Sequence, residues 1–281
     1  MHAEISKPRV SVVLPVRDGA RYLRDAVESV LDQTLDALEL VVVDDGSEDE
    51  TPALLAAVDD PRLRVVRQER LGLVAALNRG LAVSSAPYVA RHDADDVSMA
   101  QRLERQVELL ELSPRAALVI PGVELIDEEA RPVGEIVLPE RDAALRRRLL
   151  LRNPITHGSV VMRRDALERA GEYRADYGAN EDYDLWRRLA RHWELTATPE
   201  LLYRYRIHGE AVTRTEPGRV AGREELRDEL WREPALLRAV WGERNQAEAR
   251  ALAREALRRK RPGVAARVLA GYLVRRATTS A

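Results

Sequence analysis

Two hydrophobic rhythms alternate along the first part of the chain. The mainly β-branched run RVSVVLPV, Arg9 to Val16, has no polar alternation. That pattern predicts a strand buried on both faces. The next stretch sets Leu23, Ala26, Val27, Val30 and Leu31 at helical spacing, which predicts a helix with one apolar face. LELVVVDDGS then reads as a second buried strand that stops abruptly at two aspartates and a Gly-Ser turn. In TPALLAAV, Thr51 is expected to be the N-cap, with Pro52 at the first helical position. RLRVVRQ and GLVAALNRGLAVS repeat the pair, and APYVARHD is a fourth strand. Ser98 and Gln101 fit a capping box ahead of the helix MAQRLERQVELLEL. Such alternation predicts an α/β fold, a doubly wound and mostly parallel sheet with helices on both faces. Ligands then belong at the carboxyl ends of its strands.

After Ser113 the rhythm becomes irregular. AALVIPGVELID, RPVGEIVLP and GSVVM read as strands, RDAALRRRLLL and RDALERAG as helices, and Gly171 as the C-cap of the latter. NEDYDLWRRLARH is a helix with acids in its first turn, and ELLYRYRIHG is a last strand. From Gly218 the sequence is helical in pattern and rich in Arg, Glu, Ala and Leu. The expected division is a domain over 1–217 and a helical C-terminal extension over 218–281.

Composition narrows the chemistry. With 281 residues, 45% hydrophobic and 33% charged, the chain can build a sizeable core. A formal net charge of -2 gives no support to nucleic-acid binding. There are 0 cysteines, so thiolate metal sites are excluded and a metal would need oxygen or imidazole ligands. The opening residues lack the charge and apolar stretch of a signal peptide. No apolar run is long enough to span a bilayer, so a cytoplasmic enzyme is expected.

The densest chemistry lies in YVARHDADDVS, where Asp93, Asp95 and Asp96 occupy four positions at a strand end. Like charges this close need a cation among them. Asp44 and Asp45 end another strand, and parallel strands would bring both groups to one edge of the sheet. Hard carboxylates in an open site suit Mg2+ or Mn2+, with further ligands from a substrate diphosphate. Asp96 can instead serve only as a helix-start residue. Neither GxxxxGK[ST] nor GxGxxG occurs, which leaves P-loop and dinucleotide-binding sites unsupported. A phospho-acceptor receiver module, with Asp44 or Asp45 as acceptor, is the alternative of another class.

VSVVLPVRDGARYLRDAVESVLDQTLDALELVVVDDGSEDET, RLGLVAALNRGLAVSSAPYVARHDADD and NEDYDLWRRL, in this order and spacing, resemble the family 2 glycosyltransferases of GT-A fold. The resemblance implies an inverting enzyme that uses a nucleotide-diphosphate sugar, UDP foremost, and a saccharide or lipid-linked acceptor. It places cell-surface polysaccharide or glycoconjugate synthesis as the setting. It puts Asp45 at the uracil edge, Asp44 in a structural role beside it, and Pro15 and Arg17 in the loop lining base and ribose. Arg17 stands where family members often have an aromatic. Arg70 and Gly72 fall near the nucleotide. Asp93 and Asp95 match the DXD motif, Asp93 toward ribose or metal and Asp95 as metal ligand, with Mg2+ or Mn2+ as the ion. Asp182 matches the catalytic base, and Glu181 beside it complements the helix dipole or touches acceptor hydroxyls. Asp184 reads as a surface acid and Trp186 as core. His157 matches a loop near the donor sugar, and His208 a late histidine that reaches metal or diphosphate. A catalytically inactive nucleotide-sugar-binding relative is the second alternative.

From Arg254 to residue 281, the basic residues are Arg254, Arg258, Arg259, Lys260, Arg261, Arg267, Arg275 and Arg276, against one acid, Glu255. Val264, Val268, Leu269, Tyr272 and Leu273 share one helical side. Such a helix fits peripheral contact with an anionic membrane. It equally fits packing on the catalytic domain or on a second subunit of a homodimer.

Overall fold

The run Val10–Val16 forms strand β1, and all seven of its residues are buried. Its side chains alternate between two apolar layers. Val12 and Leu14 pack with helix α1 (Leu23–Leu31) and helix α4 (Arg102–Leu112). Val13 faces the other way, onto Leu77 of helix α3 (Leu73–Val83). Both faces are covered, which is why the run carries no polar alternation. Each such side chain contributes about 1.5–3 kcal/mol on leaving water. The computed structural model describes residues 7–151, 153–177 and 180–209, together with Arg254. The helical extension expected over 218–281, with its boundary and amphipathic tail, lies otherwise outside the described residues.

β2 (Leu38–Asp45), β3 (Leu63–Gln68) and β4 (Tyr88–Arg91) join β1 in parallel, with helix α2 (Thr51–Ala56) between β2 and β3. The two-residue β5 (Val97–Ser98), β6 (Ala116–Ile126), β7 (Pro132–Ile136), β8 (Val161–Arg163) and β9 (Glu194–Arg206) complete the sheet. The order is β3-β2-β1-β4-β8-β6-β9-β5, with β7 on β6. Helices α5 (Asp142–Leu151), α6 (Arg164–Ala170) and α7 (Glu181–Ala190) occupy the second half. The sheet is mixed there: β8 runs antiparallel to β4 and β6, while β9 is parallel to β6. Two reversals return β9 to the direction of β4. The carboxyl ends of β1, β2, β4 and β9 therefore share one edge.

Local readings are corrected where a tertiary partner competes for a side chain. Thr51 is the first helical residue of α2 and not its cap. Asp49 Oδ1 takes the Thr51 amide at 2.9 Å, which frees Thr51 Oγ1 to accept the Gly19 amide at 3.0 Å. Ser98 does not cap α4, which begins at Arg102. It sits in β5 opposite Tyr203, and its Oγ accepts Arg102 Nη1 at 2.8 Å. The last strand starts at Glu194, six residues before the sequence pattern suggests. Pro199 has no N–H for the ladder, and the β6–β9 register shifts between Ile120 and Gly122 in that region. The shift masks one strand as two.

Asp184 is not a surface acid. It is buried, and its Oδ2 accepts Arg188 Nε at 2.8 Å. Arg188 in turn donates to the carbonyls of Ala170, Gly171 and Glu172, closing the end of α6. Gly171 ends α6 as expected, at φ 82°. Removing Asp184 would leave the Arg188 guanidinium buried without its carboxylate. Asp184→Ala is expected to lower stability by about 3–5 kcal/mol in denaturant unfolding. A surface acid would change it by no more than about 0.5 kcal/mol.

Candidate active site

On the shared edge, the loops after β1 and β2 are stitched together. Asp18, in the left-handed region at φ 50°, donates its amide to Ser47 Oγ at 3.0 Å and accepts the Glu48 amide at 2.9 Å. Asp44 is buried, accepts the Ser47 amide at 2.8 Å, and pairs with Arg67 at 3.4 Å. Asp45 clasps the loop after β3. Its oxygens take Gln68 Nε2 at 2.7 Å, the Leu71 amide at 2.8 Å and the Gly72 amide at 2.9 Å. Gly46 follows at φ 72°, and a Cβ there would meet the Arg70 amide nitrogen at 2.9 Å. That backbone turn requires glycine. Pro15 is buried within β1, and the side chains of Arg17 and Arg70 are exposed at the rim.

The question of what offsets three aspartates in four residues has an answer within the chain. Asp93 pairs with buried Arg91. Asp95 Oδ2 lies 2.8 Å from His208 Nε2, across 113 positions of sequence. Asp96 is buried, and its Oδ1 accepts the Arg206 amide at 2.8 Å. Arg206 also donates to the Asp95 carbonyl at 2.9 Å and to the Glu128 carbonyl at 3.0 Å. Its guanidinium rests 4.4 Å over the Tyr22 ring. Burial, together with Asp93 and Asp95, pushes the Asp96 carboxyl well above the ordinary range against the Arg206 amide. Burial opposes the charge on Arg91, but Asp93 and Tyr203 raise its pKa above the usual value. Burial and Arg102 keep His92 neutral, with Nδ1 2.7 Å from the Asp93 carbonyl.

A second group of acids opens α7. Glu181 and Asp182 are both buried, and the helix N-terminus favours negative charge there. Asp182 Oδ2 accepts Asn153 Nδ2 at 2.7 Å, and Oδ1 lies 2.6 Å from the Tyr183 amide. Glu181 Oε1 is 3.7 Å from His157 Nδ1, while His157 Nε2 meets the Tyr173 hydroxyl at 2.9 Å. Burial raises the Tyr173 pKa above the ordinary phenol value, with Glu181 and Asp182 adding to it. Trp186 is fully buried core, with its ring edge-on to His157 at 5.8 Å.

Gly158 joins the two groups. It belongs to the turn His157–Ser159, and a Cβ on it would run into Asp93 Oδ2 and the Tyr203 hydroxyl. Its missing side chain lets the His157 turn lie directly against the aspartate loop. The His157 turn thus lies against the loop of Asp93 and Asp95, His208 joins through Asp95, and Glu181 stands 3.7 Å from His157, with Asp182 next to it on α7. Asp45, Arg17 and Arg70 line the nearby part of the same edge.

Sequence reading missed Arg91, His92, Arg102, Tyr203 and Arg206. A signal existed for some of them: Arg91 and Arg206 end otherwise largely apolar strands, and Arg102 shares its helix face with Leu103 and Val107.

Asp95 and His208 offer one carboxylate oxygen and one imidazole nitrogen, hydrogen-bonded to each other. Among the described residues no three or more His, Asp or Glu side chains form a metal cage. Two protein ligands suit a hard divalent ion that keeps waters and takes phosphate oxygens.

Residues 11–171 match the family model described as glycosyl transferase family 2. An uncharacterized glycosyltransferase of Rickettsia prowazekii is 30% identical over 234 residues, 80% of this chain and 72% of that protein. The amylovoran biosynthesis glycosyltransferase AmsE of Erwinia amylovora is 32% identical over 210 residues, 73% of this chain and 78% of its own. A Rickettsia felis relative is longer, and the chain spans 35% of it. Among solved structures, S. aureus TarS 1–349 in complex with UDP superposes with a TM-score of 0.62 at 16% identity, over 88% of this chain and 70% of that one. The mannosyltransferase PcManGT of Pyrobaculum calidifontis, in complex with GDP-Man and Mn2+, gives 0.57 at 21% identity, over 95% and 86%. Both likenesses are of fold.

Gly158→Ala is expected to force Asp93 and Tyr203 aside and to cost about 1–3 kcal/mol, as overpacking does. Thermal or denaturant unfolding checks it, and an unchanged midpoint would mean that the turn does not press on the aspartate loop.

Proposed function

Since this chain belongs to glycosyl transferase family 2, we propose that it moves a sugar from a nucleoside-diphosphate sugar, UDP foremost, to an acceptor hydroxyl with inversion. The observation that supports this reading is the close lie of the His157 turn, with Glu181 3.7 Å from His157, against the aspartate loop whose Asp95 pairs with His208. On this reading the aspartate loop is the leaving-group side and the start of α7 the base side. AmsE supports polysaccharide or glycoconjugate synthesis as the setting, and the saccharide or lipid-linked acceptor stays at the level of class. Among the described residues no helix is long and apolar enough to cross a membrane.

Each residue has a part in the mechanism. Asp45 and the loop it clasps hold the base, with Pro15 and Arg17 beside it and Arg70 reaching toward ribose or diphosphate. Asp93 turns toward the ribose, and its charge is held by Arg91. Asp95 and His208 would hold Mg2+ or Mn2+, the latter present with GDP-Man in PcManGT. Such an ion would supply charge neutralisation for the departing diphosphate. Asp182 takes the proton from the acceptor hydroxyl as the new oxygen–C1 bond forms and the C1–phosphate oxygen bond breaks. Asn153 orients its carboxylate through Oδ2. One base and direct displacement invert the anomeric carbon. Glu181 and His157 orient the reacting sugars from the same side. The phospho-acceptor alternative is not favoured, because the chain matches glycosyl transferase family 2 over residues 11–171.

Two substitutions separate the roles. Asp95→Ala should abolish metal-dependent UDP binding in calorimetry while the protein stays folded; full affinity would remove Asp95 from the metal site. Asp182→Asn should bind UDP and Mn2+ as the wild type does, yet transfer about 10²–10⁴-fold more slowly. Release of nucleoside diphosphate from a panel of sugar nucleotides measures this. Near-normal turnover in the Asn variant would move the base to Glu181, and silence of the wild type with every donor would favour the inactive relative.

A further inference from the structure

α4 turns Leu103, Val107 and Leu110 toward the sheet, and on the same buried face it carries Arg102 and Gln106, both 0% exposed. Burying a guanidinium is costly, and apolar packing of similar volume often serves stability as well. Burial pulls the Arg102 pKa down to about 10, with Tyr203 and Asp96 opposing, so it stays cationic at neutral pH. What an apolar side chain cannot do is reach several segments at once with a planar fork of donors.

The segments Arg102 reaches are those of the candidate site. Nη2 faces the Arg91 carbonyl at 2.7 Å, just before the aspartate loop, and Nη1 donates to Ser98 Oγ at 2.8 Å, just after it. The same Nη2 lies 3.1 Å from the Gly158 carbonyl and 3.4 Å from that of Val160, on either side of Ser159. The guanidinium also stacks 4.7 Å over Tyr203, whose hydroxyl accepts the Asp93 amide at 3.1 Å. Nε rests on Gln106 Oε1 at 3.0 Å, and Gln106 Nε2 donates to the Ser159 carbonyl at 3.0 Å. Both ends of the aspartate loop and the Gly158 and Val160 carbonyls of the His157 segment therefore hang on one side chain.

We propose that Arg102 is a positioning residue for the transfer step, fixing the aspartate loop Asp93 to Asp96 against the turn that carries His157. It touches neither substrate. It sets the separation between the loop that would hold the leaving diphosphate and the His157 turn, which neighbours Glu181 at the start of α7. The inference rests on the glycosyl-transfer reading for its catalytic consequence, while the mechanical coupling stands on the geometry alone. Misplacement by about 1 Å far from the chemistry can cost roughly 10²-fold in rate.

Arg102→Lys keeps the charge and removes the fork. Hydrogen exchange in the folded variant should accelerate together at residues 92–98 and 156–160, and stay unchanged in β2 and β3. In steady-state assays kcat should fall about 10–100-fold, while donor KM and the affinity for UDP with Mn2+ shift by less than about threefold. A purely structural role would lower the melting temperature and leave kcat of the folded protein intact. Exchange that rises in only one of the two segments overturns the inference, as does wild-type kcat or a loss of UDP affinity equal to the loss of kcat. If Arg102→Lys does not fold, Ser98→Ala releases a single prong and should give the same pattern at about 3–10-fold; no effect on kcat there overturns it equally. A wild type without turnover on any donor would sink the glycosyl-transfer reading, and the exchange measurement would still decide the coupling.

Discussion

Three carboxylates within four residues repel one another unless each is answered by a positive group or an N–H, and the edge of this sheet is organised around answering them. Asp93 takes Arg91 from its own strand, Asp95 takes His208, and Asp96 takes the Arg206 amide. Two of the three partners come from β9 or the residues just after it. The shape of the aspartate loop therefore depends on the far end of the domain lying beside it. At Asp93 and Asp95 the partner is a cationic or imidazole side chain, whereas at Asp96 burial and the two neighbouring carboxylates prevail over the Arg206 amide and favour the protonated form.

That demand gives meaning to the irregular second half of the sheet. Past β4 the sheet does not continue in parallel. Instead β8 and β6 reverse direction in turn, so that β9 again points its carboxyl end at the same edge. Arg206 then braces Asp95, Tyr22 and the turn at Glu128 together. Glycine completes the approach, because only a residue without a Cβ lets the His157 turn lie on Asp93.

The acids of α7 show how one helix start can serve chemistry and stability with adjacent residues. The positive end of the helix favours all three acids of the first turn, yet their partners divide them. Asp184 is committed to Arg188 and the end of α6. Glu181 and Asp182 lean toward His157 and Asn153, and so toward the aspartate loop. Sequence spacing alone does not separate a structural acid from a base candidate here, since two residues along a helix turn the side chain by roughly half a revolution, and what lies on each side is a matter of packing.

From the sequence alone one could read the alternation of β1 to β4 with their helices, the strand-end aspartates and the acidic start of α7. Those features are local: they follow from periodicity of 2 or 3.6 residues and from the chemistry of neighbours in the chain. The resemblance of the ordered motifs gave the family. Tertiary structure decided that neither Thr51 nor Ser98 caps its helix: Thr51 Oγ1 accepts the Gly19 amide, and Ser98 pairs with Tyr203 in the sheet. It turned Asp184 inward, ran β9 unbroken past Pro199, and buried Arg91, His92, Arg102 and Tyr203 beneath the aspartate loop. Some side-chain partners are local, Arg188 for Asp184 and Arg102 for Ser98, but other contacts of these segments come from far along the chain, as His208 lies 113 residues from Asp95. A pattern read over a window of a dozen residues contains no term for such a partner, because burial of a polar group depends on what the fold brings to meet it.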